Sequence, residues 1–378
     1  MWRIKIIAIF VLVIVPISLF GQIGFTIEND NGYMSNAFSN YLTRPDYYSN
    51  LDVKINHDWV ENVQGLRVYY QGDLNAFKQF TERNFFTHNV GLNYYRYLGE
   101  AGHKINAGFS VGERYHTETY KWYEYRQVYT FANIKFILFD QMYAYAGFNL
   151  RWRNYRVFDV FSHWQSVLYY RVSRFFDTGT TIIAETDLLT KHYYPSSETS
   201  SIPDLPEVVT LGDGTSQQFV VLVRLAQSLT RTTGLSFQTL LRSNLLRTVR
   251  YVGTTSGYYY SDEELFDDVY GYHGQEMTLN LKQTLPWKMT LSMGTLLAFK
   301  HYDQRLALDL AGEPFPDERL RDDTKWTYWI SLNKQFKLAA KWKPVTLTIN
   351  WYGVNNGSND PYYDYKSSYF SFGISQKF

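Results

Sequence analysis

The chain has 378 residues with 37 basic and 36 acidic side chains, a formal net charge of +1 that leaves no single-sign field to attract nucleic acid or a cationic partner. It contains no cysteine, which excludes a disulfide framework, a thiolate metal site and a lipid-anchored N-terminal cysteine. Aromatic residues make up 19% and charged residues another 19%, and beyond Phe20 no run of about 20 apolar residues occurs, so helical membrane spans are ruled out there.

The N-terminus reads as an export signal: Arg3 and Lys5 are followed by an apolar stretch from Ile6 to Phe20, broken at Pro16 and closed by the small residue Gly21. This predicts a cleaved leader over 1–21 and one continuous unit over 22–378. A first strand is predicted from Gln22 to Glu28, and a polar connection from Asn29 to Tyr48. From there one pattern repeats, with about ten alternating residues, a short turn, a second alternating segment and a longer polar loop.

Short turns are predicted at Glu61 to Gln64, Gly99 to Gly102, Asp140-Gln141, Asp177 to Gly179, Thr230 to Thr233, Pro286-Trp287 and Ala340 to Pro344. The longer connections are Lys191 to Thr215, Arg247 to Asp268, Asp303 to Asp323 and Asn355 to Lys366. Between them the alternation is regular. Met142, Ala144, Ala146, Phe148 and Leu150 oppose Tyr143, Tyr145, Asn149 and Arg151; Val345, Leu347, Ile349 and Trp351 oppose Thr346, Thr348, Asn350 and Tyr352. A strand with hydrocarbon on one side and water on the other requires this. The phase slips between Trp122 and Leu138, where a bulge is expected.

Trp59, Trp152, Trp287, Trp326 and Trp351 fall near strand ends and suit interfacial aromatic girdles. In the last strand, Ser367 to Phe378, residues Phe370, Phe372, Ile374, Gln376 and Phe378 share a phase, so the chain is expected to close on itself and to present its terminal aromatic residue to the barrel assembly machinery. The pattern predicts an all-β fold, a closed antiparallel transmembrane β-barrel of about 16 strands (about 14 to 18), with short periplasmic turns and long extracellular loops, in the outer membrane of a Gram-negative bacterium.

The lumen-facing phase is expected to carry Arg67, Lys104, Arg114, Arg151, Arg153, Arg171, Glu185, Asp187, Arg224, Arg242, Glu276 and Lys282. Both signs are present, which suits either an aqueous passage for small polar solutes or an internal polar network. The letters Gly108-Phe109-Ser110-Val111-Gly112 match a nucleophile elbow, but they lie within an alternating strand and not at a strand-to-helix turn. Acidic loop residues Asp262, Glu263, Glu264, Asp267 and Asp268, with Asp317, Glu318, Asp322 and Asp323, offer hard oxygen ligands for calcium, set against the plainer reading of solvated charge.

Near the N-terminus, Ile27-Glu28-Asn29-Asp30, Asp46-Tyr47-Tyr48-Ser49-Asn50 and His57-Asp58-Trp59 resemble the opening of the lipid A 3'-O-deacylase family. That resemblance implies an outer-membrane barrel acting on lipopolysaccharide in a calcium-dependent ester hydrolysis, with Asn29, Asp30 and Ser49 at the matching positions. Leu51 stands where the family has a glycine, and the family's histidine context has no copy here. His116 is then the one candidate for the general base.

Three functions follow from these observations. The first is a porin-like channel for small polar solutes, without cofactor. The second is a lipopolysaccharide-modifying hydrolase of the deacylase kind, which would use calcium. The third is an adhesion or assembly barrel acting through its loops.

Overall fold

Every backbone amide and carbonyl that enters hydrocarbon must find a partner within the protein, and a chain of alternating segments meets that demand by closing a sheet. In the computed structural model the described residues are 22–100, 102–194, 208–211, 214–252, 265–337 and 343–378. The leader expected over 1–21 lies outside them, as does most of the turn expected at Ala340 to Pro344.

The strands in chain order are β1 (Gln22–Met34), β2 (Asp46–Glu61), β3 (Gln64–Phe77), β4 (Phe85–Leu98), β5 (His103–His116), β6 (Tyr125–Phe139), β7 (Met142–Tyr155), β8 (His163–Phe175) and β9 (Thr180–Tyr193). They continue with β10 (Val208–Leu211), β11 (Thr215–Ser228), β12 (Thr233–Leu246), β13 (Val249–Val252), β14 (Tyr272–Leu285), β15 (Met289–Leu306), β16 (Leu320–Phe336), β17 (Val345–Ser358) and β18 (Tyr365–Lys377).

Strands β10 and β13 form a small separate sheet, and the remaining 16 form a closed antiparallel barrel. Closure is made by β1 on β18, in a register running from Thr26 opposite Lys377 to Met34 opposite Tyr369. This leaves the sheet without an edge.

One side-chain phase around the barrel is apolar and solvent-accessible, including Leu66, Val90, Phe148, Leu168, Leu279 and Ile349. Large apolar groups left open in this way, strand after strand, form the belt that meets hydrocarbon. Trp59, Trp326 and Trp351 are exposed on that phase, Trp152 shares it, and Trp287 stands in a short turn. The short connections fall at one end of the barrel and include Asn62, Gln141, Trp287 and Lys288 at positive φ, which the tight reversal between long strands demands.

Strand β1 continues past Glu28 to Met34, so the segment expected to begin a polar loop at Asn29 is strand instead. Its Asn-Asp-Asn-Gly stretch pairs on both sides, with β2 and with β18, and that double ladder overrides the turn preference of the letters. The phase slip after Trp122 has two sources. A short 3-10 segment, Glu118–Tyr123, precedes β6, and the β6–β7 register shifts between Ile137 and Phe139.

Loops 78–84, 117–124 and 156–162 at the long-loop end mix polar residues with aromatic ones. They carry Phe80, Tyr120, Trp122, Tyr123, Phe158 and Phe161 because they are packed inward. The buried apolar cluster of this protein lies in these loops, at the mouth of the barrel, together with Ala37, Phe38, Val252, Leu265 and Phe266.

The belt predicts an asymmetric response to charge. Leu279→Arg, on the outward phase near the middle of β14, should destabilise the barrel by about 2–4 kcal/mol, whereas Thr278→Arg on the inward phase should change it little. Urea unfolding in lipid vesicles measures the difference, and equal midpoints for the two variants would contradict the assignment of faces.

Candidate functional site

The inward phase carries cross-strand polar pairs. Asp58 on β2 stands opposite Arg67 on β3, with Nε donating to Oδ1 at 2.6 Å. Asp52 pairs with Lys54 at 3.0 Å and accepts from Gln71 at 2.8 Å. Arg171 pairs with Glu185 across β8 and β9, beside Asp187. Arg242 donates to Gln218 at 3.0 Å and reaches Glu276 at 3.4 Å.

Arg153 donates to Gln127 at 3.0 Å, and Arg151 donates to Gln165. Lys104 lies 4.3 Å from the centre of the Tyr95 ring, and Arg114 lies 4.3 Å from that of Phe85. Arg224 stands opposite Gln238, and Lys282 opposite Gly234 and Ser292, on the same phase. Solvated pairs of this kind contribute at most about 1 kcal/mol each, so their main effect is to keep the inner wall wet.

At the mouth the balance differs, because the ions are buried. Loop residue Asp267 accepts from Lys300 Nζ at 2.5 Å and from Tyr302 Oη, and Arg321 lies 3.8 Å away. Arg321 is itself fully buried, forked on Asp323, and its guanidinium sits 3.4 Å from the centre of the Tyr363 ring. Arg305 donates to the carbonyl of Phe266 at 2.5 Å and to the Tyr363 hydroxyl at 2.6 Å.

Asp268 takes Lys191 and the Tyr193 hydroxyl, and it caps the short turn at 269–271 by accepting from Tyr270 N at 3.2 Å. The segment 265–271 is thereby pinned to β9, β15 and β16, and its apolar members Leu265 and Phe266 complete the aromatic plug. Burial raises the Asp267 pKa, but the charges of Lys300 and Arg321 and the hydrogen bonds from Lys300 and Tyr302 outweigh it, holding the carboxyl well below the ordinary range.

Two cavities adjoin this plug. One, of about 270 Å³, lies between the first loop and the wall and is lined by residues including Asn36, Arg83, Arg114, Lys325, Tyr352 and Tyr369. The second, of about 470 Å³, is lined by Asp30, Trp329, Asn350, Tyr352, Tyr369 and Ser371 among others. Tyr352 and Tyr369 line both, on the β16–β18 wall.

The residues expected to form a hydrolytic site do not converge. Asn29 and Ser49 lie on the outward phase while Asp30 points inward, since successive residues of a strand face opposite sides. Asp30 accepts from Tyr48 Oη at 2.5 Å. His116 ends β5, four strands from β1 and so about 19 Å around the wall, with its ring centre 5.1 Å from that of Phe85 and 5.5 Å from that of Tyr123. Neither of its ring nitrogens has a hydrogen-bond partner. Ser110, from the elbow-like letters, is buried within β5 opposite Gly91, with no turn.

The acidic loop residues expected as calcium ligands take basic partners instead: Asp267, Asp268 and Asp323 as above, Asp322 with His301, and Asp317 with Arg319. Asp262, Glu263 and Glu264 lie outside the described residues. Among the described residues no group of three or more His, Cys, Asp or Glu is placed to hold a metal. Sequence reasoning missed Trp329, Tyr352 and Tyr369, and the mouth arginines 83, 305 and 321. The available signal was that these aromatics share the phase of Asn350 and Lys325 and not that of Trp351 and Ile330.

No family model matches the chain, and no curated protein does. Among solved structures, OpdL of Pseudomonas aeruginosa matches with a TM-score of 0.51 and 10% identity, over 95% of this chain and 98% of that one. OccK5 (OpdH) of the same organism matches with a TM-score of 0.50 and 11% identity, over 94% and 98%. The fold of this chain, a closed antiparallel barrel of 16 strands, is theirs. The apolar belt around such a barrel places the protein in a Gram-negative outer membrane. The deacylase resemblance finds no support in these comparisons.

The ion cluster predicts how the mouth loop opens. Because the Asp267 pKa is depressed in the folded state, its contribution is complete above the ordinary carboxylate value near pH 4 and is lost only as pH falls through the lower native value. Protease cutting within 265–271 should therefore be as slow at pH 5 as at pH 7. Asp267→Asn leaves Lys300 with an uncompensated buried charge, while Arg321 keeps Asp323; it costs about 3–5 kcal/mol and should make the loop cleavable at neutral pH.

Proposed function

We propose that this protein is a porin-like channel through which small polar solutes cross the outer membrane, entering beside an inward-folded plug of loops. Sixteen strands about 4.8 Å apart and tilted by about 40° enclose a backbone cylinder of roughly 16 Å radius, wide enough for water after side chains are counted. The single observation that carries the reading is a closed barrel of 16 strands whose inward phase is lined by charged and amide side chains, with cavities against Tyr352 and Tyr369 on that wall. The shared fold of OpdL and OccK5 supports it. A hydrolase would need Asp30 and a histidine together, and the two are held apart. Lipopolysaccharide is then the lipid that surrounds the barrel, and the strand ending in Phe378 is the segment offered to the assembly machinery.

Purified protein in planar bilayers should give discrete conductance steps. Val354 lines the mouth cavity, and Val354→Trp should fill it and lower the step size several-fold, while Val223→Trp on the outward phase should leave it unchanged. A wild-type protein that inserts and stays silent across voltages and salts would sink the channel reading.

A further inference from the structure

Within the lumen the aromatic residues are arranged in a row. Trp329 on β16 stands opposite Tyr352 on β17, which stands opposite Tyr369 on β18. Tyr369 stands opposite Met34 on β1, and from one ladder step along, where Gly32 lies between Ser371 and Tyr48 of β2, the Tyr48 ring reaches over to stack on Tyr369 with centres 5.0 Å apart and planes at 20°. Each end of the row rests on a glycine. A Cβ at Gly294 would come within 2.4 Å of Trp329 Cζ2 and 2.7 Å of Cε2, and one at Gly32 within 2.4 Å of Tyr48 Cε1. The indole therefore lies down on its neighbour strand and turns its other face to the lumen.

One ladder step further along sits a polar row. Ser331 stands opposite Asn350, and Asn350 opposite Ser371. Asn350 Nδ2 donates to Ser371 Oγ at 3.2 Å, which leaves its second N–H and its carbonyl to the cavity. Asp30 completes this side, one carboxylate oxygen taking the Tyr48 hydroxyl, and among the described residues no basic side chain pairs with it.

Resting on the channel reading, we infer that this cavity of about 470 Å³ is a binding subsite for a pyranose ring of a neutral saccharide in transit. A pyranose presents one face of C–H groups and an equatorial rim of hydroxyls. The aromatic row offers the apolar floor for the face, and Asn350, Ser331, Ser371 and Asp30 offer both donors and acceptors to the rim. An organic cation is the rival occupant for aromatics beside a carboxylate, and it is held most tightly where rings surround it in a cage. Here Trp329, Tyr352 and Tyr369 lie side by side along one wall, and Asp30 sits at the edge of that floor. A simple anion is disfavoured by the Asp30 charge.

The test uses the full-length protein with maltotriose, cellotriose and xylotriose as probes and choline as the contrasting one. In planar bilayers at least one trisaccharide should block the current saturably. Calorimetry in detergent should give the same dissociation constant. Trp329→Ala should raise that constant about tenfold, with Trp329→Phe recovering much of the loss. Heat-modified mobility on gels checks that each variant is folded. If the protein conducts but no trisaccharide saturates, or if choline binds in place of the sugars, the subsite is overturned while the channel stands. If calorimetry detects the sugar in a protein that never conducts, the channel reading fails and the subsite survives.

Discussion

The structure depends on one constraint, that no backbone hydrogen-bonding group is left unpaired in hydrocarbon. It is met by the last pairing of the sheet, β1 against β18, which joins residues more than 300 positions apart in the chain. Without it the first and last strands would each present an open row of amides and carbonyls to lipid. That explains why β1 holds its ladder through Asn29, Asp30, Asn31 and Gly32, residues that a soluble protein would spend on a turn.

Closure sorts side chains into two environments, and a third arises at the mouth. Outside, apolar groups are stabilised by lipid; along the inner wall, charged groups sit in water and pair loosely. At the plug, Lys300, Arg305, Arg321 and Asp323 are buried among tyrosines, with the half-buried Asp267 beside them, and there the desolvation cost is offset only by near-complete pairing. Such a cluster is a poor source of net stability, but it is strict about geometry. The loop must sit where Asp267 meets Lys300, Tyr302 and Arg321, or leave several charges stranded.

A fold shared with OpdL at about a tenth of the residues identical implies that the architecture is held by alternation and strand number, which many sequences satisfy. The solute selectivity of a barrel is carried by groups such alternation does not specify, the inward side chains of neighbouring strands. In this chain they make an aromatic floor at Trp329, Tyr352 and Tyr369 and a polar edge at Asn350, Ser371 and Asp30.

Much of the barrel was readable from letters alone. Alternation such as Val345 to Tyr352 separates the two faces because a strand has a period of two, and the short turns at Glu61 to Gln64 and Pro286-Trp287 mark hairpin ends because tight reversals need few residues. The inward-packed loops are not legible where they are aromatic, since a segment such as Trp122-Tyr123 carries no loop signature once its solvent is protein. The resemblance at Asn29, Asp30 and Ser49 misled because a motif in one dimension does not say which side of a sheet each residue faces. The sequence by itself determined a membrane barrel and, where the alternation is regular as in Met142 to Arg151 and Val345 to Tyr352, the side of the wall a strand residue takes, both being local and periodic. Only the tertiary structure decided that the loops turn inward, which ions they bury, and that Trp329, Tyr352 and Tyr369 meet in one row, because those contacts join distant segments through a register that no local pattern encodes.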